Sequence, residues 1–203
     1  MHRIDQKTMK TFRSILLLFL PLSLYAQEME LPYHQIPDYP ADYSSGNIVG
    51  RMIDGLGYRY YWATEGISES DLAYRPSEKG RTFLETLHHI YGMSETLLES
   101  SKGEPSIRPK DFTKLSFEQL REGTLKNLEA ASHLMKGKNE NDLATLKITF
   151  QRNDKQTSFP YWNMLNGMLS DCIYHTGQLV MMRRSNGNPQ HPKVNVFLGK
   201  NRE

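Results

Sequence analysis

The sequence predicts an all-α protein, a four-helix bundle with a short β-hairpin or extended insert before its last long helix. Three observations carry this reading. Four separate segments repeat apolar residues at the three-and-four spacing of a helix face. Two of those segments open with a hydroxyl residue followed three positions later by Glu or Gln, the signature of a capping box. Between the third and fourth segments, Thr145-Leu146-Lys147-Ile148-Thr149-Phe150 alternates polar and apolar residues as a strand does.

Residues 28–44 are rich in Pro, Tyr and acidic side chains and read as an extended lead-in. The first helix follows from about Asn47 to Thr64 on the stripe Val49, Met52, Ile53, Leu56, Tyr60 and Ala63, with Gly66 as its stop. Gly50, Gly55 and Gly57 each weaken it by about 1 kcal/mol relative to Ala, so close packing or a nearby ligand has to explain them. The second helix starts at the box Thr82-Phe83-Leu84-Glu85 and buries Phe83, Leu84, Leu87, Ile90, Tyr91, Leu97 and Leu98. In the third, Ser116 and Gln119 form the box, Leu115 and Leu120 a hydrophobic staple, and Gly137 the end. The polar turn from Gln151 to Lys155 returns the chain toward Gln156–Ser158 and makes the hairpin. The fourth helix is expected from about Pro160 to Arg184, stopped by Asn186-Gly187-Asn188-Pro189. Val194-Asn195-Val196-Phe197-Leu198 then reads as an apolar tail lying back on the helices.

Charge excludes one class of function. The 25 basic and 23 acidic residues leave a formal net charge of +2 and are interspersed, without a basic tract or a nucleic-acid motif, so no nucleic-acid partner is expected. Lys10 and Arg13 precede the apolar run from Ile15 to Ala26, which is short and broken by Pro21. That pattern reads as a secretory signal peptide over residues 1–26, followed by a lead-in over 27–44 and one domain over 45–203. An uncleaved membrane anchor is the alternative reading of the same run. The mature chain is thus expected in the periplasm or cell envelope, with no stable membrane insertion after cleavage. Cys172 is the only cysteine and lies on the apolar stripe of the fourth helix, which favours a buried, inert thiol.

On that fourth helix the apolar residues Leu165, Met168, Leu169, Cys172, Thr176 and Leu179 set the register. Asp171 and His175, four apart, leave the same side of it with Cβ atoms about 5–6 Å from each other. A carboxylate and an imidazole at that spacing suit a borderline divalent cation, or they form a plain surface hydrogen bond. A third ligand would come from another helix, and the second helix offers His88-His89. Adjacent helix positions diverge by about 100°, so one ion takes only one of them, and the stripe centred on Leu87 and Tyr91 brings His88 closer to the core. Tyr58, Tyr61 and Trp62 could line a pocket or simply pack, and Arg183 and Arg184 could bind an anion or face the helix dipole. His34, His133 and His191 have no partner at ligand spacing.

Arg81-Thr82-Phe83 through Leu87-His88-His89-Ile90-Tyr91-Gly92, together with Asp171 through His175-Thr176-Gly177-Gln178, resemble the DinB/YfiT-like superfamily of bacterial four-helix-bundle metal proteins over roughly residues 45–200. The tail from Arg183 to Pro189 and from Pro192 to Phe197 resembles an exported subgroup of it. The family pattern is one His in the second helix and an H-x-x-x-H pair followed by x-G-Q in the later one. The resemblance implies a divalent metal, zinc or nickel ahead of iron or manganese, held by His89, Asp171 and His175. It places the ligand immediately before Ile90, at His89 and not His88. Asp171 stands where the family has the first His of the pair, which lowers the charge of the centre and makes a coordinated water less acidic. Gln178 is expected to hold the ligand shell or a bound small molecule. Activities in the superfamily imply metal-dependent hydrolysis, or less readily thiol transfer, on a small-molecule substrate. A non-catalytic metal or small-molecule binding protein of the envelope is the alternative, and pairing through helix faces implies a homodimer. No catalytic base is assigned, Glu85 and Glu95 being the carboxylates in view.

Overall fold

The computed structural model describes residues 30–203. The predicted signal peptide, residues 1–26, and the first residues of the lead-in, 27–29, lie outside the described residues. The chain runs through α1 (Ser45–Thr64), α2 (Glu69–Ala73), α3 (Phe83–Lys102), β1 (Ser106–Arg108), α4 (Phe117–Met135), α5 (Glu140–Thr145), β2 (Lys147–Arg152), β3 (Lys155–Pro160), a wide π-helical segment (Met164–Leu169) and α6 (Ser170–Ser185). It is mostly helical, with a small three-stranded sheet in the order β1-β2-β3.

Local chemistry sets the helix starts. Thr82 accepts from the Glu85 N–H at 3.0 Å while the Glu85 carboxylate accepts from the Thr82 N–H at 2.7 Å. Ser116 and Gln119 exchange the same pair of bonds at the start of α4. Two further boxes, Ser68 with Asp71 and Asn139 with Asp142, open the short helices α2 and α5, which the periodicity of so few residues does not reveal.

Packing follows from the stripes. Helix α4 lies against both α1 and α3, and α6 lies against the same two. Ile53, Leu56 and Tyr60 of α1 meet Leu87, Ile90 and Leu97 of α3, Leu125 and Leu128 of α4, and Cys172 and Leu179 of α6 in one fully buried core. Met52, expected on the α1 stripe, faces outward instead, at the edge of that helix's apolar arc. Close packing accounts for one of the three α1 glycines Gly50, Gly55 and Gly57: a Cβ on Gly57 would collide with the ring of Tyr33, whereas one on Gly50 would meet the Ser132 carbonyl of α4 at an ordinary 3.4 Å. Tyr33 is thus inserted from the lead-in onto α1, where its hydroxyl donates to Asp54 at 3.0 Å.

The hairpin is longer than the alternation predicts. β2 and β3 pair antiparallel from Lys147↔Pro160 to Arg152↔Lys155 around the two-residue turn Asn153-Asp154, with Asn153 at φ 51°. β1 adds in parallel beside β2. Pro160 consequently closes a strand, and the last helix does not begin there. The chain passes through the π-helical segment, kinks at Gly167 (φ −95°, ψ −107°), and becomes regular α-helix only at Ser170. The C-terminal residues return to the helices, but not on an apolar face: Val196, Phe197 and Leu198 are 46%, 92% and 44% exposed. Polar groups dock them. The Tyr58 hydroxyl donates to Asn201 at 2.8 Å and accepts from the Asn195 N–H at 3.1 Å, and the Ile36 N–H donates to the Gly199 carbonyl.

Candidate metal centre

The kink before Ser170 fixes where α6 presents its first turns. Cys172, fully buried, faces the core, and burial pushes its thiol well above the ordinary range, so it has no nucleophilic character. Asp171 and His175 leave the neighbouring face, toward α3, and meet His89 there. One ligand atom from each of the three lies within 4.8 Å of the others. His175 Nε2 stands 3.4 Å from one Asp171 oxygen and His89 Nε2 stands 3.6 Å from the other. The two imidazoles cross nearly at right angles with centroids 4.7 Å apart.

Those separations bear on both readings of the pair. They are longer than the roughly 2.7–3.2 Å of a formed N–H···O bond. Two donors each about 2.0–2.1 Å from a tetrahedral ion stand about 3.3 Å apart, and each imidazole is close to that distance from its own Asp171 oxygen. Asp171 has no hydrogen bond to any other described group, so both its oxygens remain available as donors. His175 is buried, while His89 and Asp171 are about one-third and just under one-half exposed, so the centre is anchored on one side and open on the other. That is the form of a three-donor site with a free position.

Protonation favours ligation too. Partial burial, the Arg81 charge and His175 together hold His89 below the ordinary imidazole range, against the upward pull of Asp171, so its ring is neutral at pH 7. His175 Nδ1 lies 2.7 Å from Gln178 Oε1. An amide oxygen only accepts, so Nδ1 carries the proton and Nε2 presents its lone pair to the centre. Gln178, expected in the ligand shell or on a small molecule, is therefore the residue that orients His175, and it also borders the adjoining cleft.

The remaining candidates fall elsewhere. His88 diverges from the centre, its Nε2 buried without a partner. Glu85 is held by Thr82 and Arg75, and Glu95 by Lys110 at 2.9 Å. Trp62 is flanked by His34 and His191, with centroids 5.1 and 5.6 Å away, so this aromatic group binds the lead-in and tail to α1. Arg183 is buried and donates to the Trp62 and Ala63 carbonyls, closing the C-terminal end of α1. Sequence reasoning missed the cleft beside the centre, about 580 Å³, whose walls include Tyr74, Arg81, Tyr174, His175, Gln178 and Met181. It also missed Asp71, fully buried and gripped by Asn186 and Asn188, although the S-x-x-D pattern at Ser68 was a readable sign of α2.

The crystal structure of a DinB-like protein, YjoA of Bacillus subtilis, superposes on the chain with a TM-score of 0.50 at 16% identity, over 70% of this chain and 96% of that one. The chain has the DinB-like fold. No family model matches the sequence, and no curated protein matches it. At this identity the likeness speaks for the DinB-like fold alone, and what the centre does rests on its own geometry.

Proposed function

We propose that this DinB-like chain, its long helices arranged as a four-helix bundle, holds a divalent cation on His89, Asp171 and His175 and hydrolyses a small molecule that enters by the adjoining cleft. The observation that carries the proposal is the convergence of His89, Asp171 and His175, one ligand atom of each within 4.8 Å of the others, with each imidazole farther from its Asp171 oxygen than a formed hydrogen bond. Zinc or nickel suits two imidazoles and one carboxylate best, ahead of iron or manganese. A cation bound there would supply Lewis acidity toward water and the substrate carbonyl. The chain's own contribution is positional: Gln178 fixes the His175 tautomer, Asp171 reduces the net charge of the centre, and the cleft aligns the substrate beside His175. Hydrolysis is preferred to thiol transfer because the signal-like segment 1–26 supports export, away from cytosolic thiol cofactors. The mature chain would act in the periplasm or envelope without membrane insertion, as a homodimer through helix faces; among the described residues no helix is long and apolar enough to cross a membrane.

A second reading has its own support. Both carboxylates considered as a general base, Glu85 and Glu95, are engaged with cations away from the centre, which suits a metal or small-molecule binding protein without turnover. Elemental analysis of the chain from Gln27, followed by a screen of esters and amides, separates the two. Hydrolysis predicts near-stoichiometric metal and saturable turnover that disappears with chelator and returns with the ion. Metal without turnover leaves the binding protein, and no metal after reconstitution removes both metal readings.

A further inference from the structure

The cleft beside the centre is chemically lopsided. Tyr74, Pro76, Tyr174, Met181 and Met182 give it mostly apolar walls, and the one Lys, Arg, Asp or Glu side chain among its lining residues is Arg81. Arg81 makes no hydrogen bond or ion pair with any described residue. Two other arginines are engaged: Arg75 donates to the Gly80 carbonyl and pairs with Glu85, and Arg183 is buried on backbone carbonyls. Arg81 is exposed at the open side of this cleft, and a guanidinium with no protein partner beside apolar walls offers a fork of donors that matches a carboxylate. One such guanidinium matches one carboxylate, and the apolar walls beside it match an apolar body.

We infer that the cleft binds a small, largely apolar molecule bearing a single carboxylate, which pairs with Arg81 while the apolar body lies along Tyr74 and Met181 toward His175. This names the substrate class of the centre and rests on reading that centre as a small-molecule site. A volume of about 580 Å³ accommodates a ligand of ordinary metabolite or drug size.

The test compares hydrocinnamate with its uncharged amide by calorimetric titration of the chain from Gln27, zinc-loaded and chelator-stripped, and of the Arg81→Met and His89→Ala variants. The acid should bind saturably and about tenfold more tightly than the amide, as expected for loss of one charge-assisted pair. In Arg81→Met, which keeps the apolar length of the side chain, the preference should collapse while thermal unfolding is unchanged. It should persist in stripped protein and in His89→Ala. Equal binding of acid and amide, no saturable binding of the acid, or an undiminished preference in Arg81→Met would overturn the inference. A preference that vanishes only when metal is removed assigns the carboxylate to the ion, which also overturns it while leaving the metal reading intact. A preference retained by protein that takes up no metal keeps the carboxylate site and fails the metal reading alone.

Discussion

Nδ1 of His175 and Oε1 of Gln178 lie 2.7 Å apart, one helical turn along α6, and this bond decides which ring nitrogen faces Asp171 and His89. Replacing Gln178 by Leu keeps the size of the side chain and removes the acceptor, freeing the ring to rotate and to change tautomer. Metal affinity should fall about 10- to 100-fold, with the fold preserved. Competition against a chromophoric chelator reads this directly, and an unchanged affinity would deny Gln178 its orienting role.

Metal binding should appear as stability. An ion that binds only the folded chain adds about 2.7 kcal/mol when free metal is a hundredfold above its dissociation constant. Thermal unfolding of wild type should therefore shift upward on adding zinc. The shift should vanish in His89→Ala and Asp171→Ala and survive in His88→Ala, whose ring lies off the centre. As pH falls, protons compete for the imidazoles. Because His89 is held below the ordinary histidine range, its share of that loss should come at lower pH than an unperturbed imidazole would give.

Much of this arrangement is legible in the sequence, where a signal is local. The capping boxes at Thr82 and Ser116 fix two helix starts to the residue, because hydroxyl and acceptor three apart act on the nearest backbone amides. The i,i+4 spacing of Asp171 and His175 likewise puts both on one face of any helix containing them. What the sequence hides is non-local. Periodicity draws His88 toward the core, but the axial rotation of α3 against α6 turns His89 to the centre, and nothing in a single stripe encodes that rotation. The β1–β2 pairing, the Gly167 kink and the polar docking of the tail are likewise settled by partners distant in sequence.

Gly57 offers a test of how the lead-in is held. Its missing side chain makes room for the Tyr33 ring, so Gly57→Ala must displace either the ring or α1. Overpacking of this kind costs about 1–3 kcal/mol, enough to outweigh the helix-propensity gain of about 1 kcal/mol from Gly to Ala. Tyr33→Ala alone should also destabilise, by removing a buried ring and its bond to Asp54. In the double variant the cost of Gly57→Ala should disappear or reverse. Chemical denaturation of the four proteins gives the coupling energy, and additive effects would mean that the two residues do not share that space.

The buried Asp71 gives the chain a specific acid sensitivity. Burial alone would raise its carboxyl, but bonds from Asn186, Asn188 and Ser68 outweigh that and hold it down at about 2, against an ordinary 3.8. Asn186 Nδ2 and Asn188 Nδ2 donate to its two oxygens at 2.8 and 2.7 Å, tying α2 to the turn after α6. Since the folded value lies below the unfolded one, the stabilisation is fully present above about pH 4 and is lost as pH falls toward about 2. A shift of this size is worth about 2 kcal/mol. Asp71→Asn should remove that share of the acid limb. It should also cost about 1–3 kcal/mol at neutral pH, because its amide group opposes the Asn186 and Asn188 donors. Urea unfolding from pH 7 down to pH 2.5 should therefore show wild type and variant converging toward the acid end. Parallel curves across that range would show that Asp71 does not couple folding to pH.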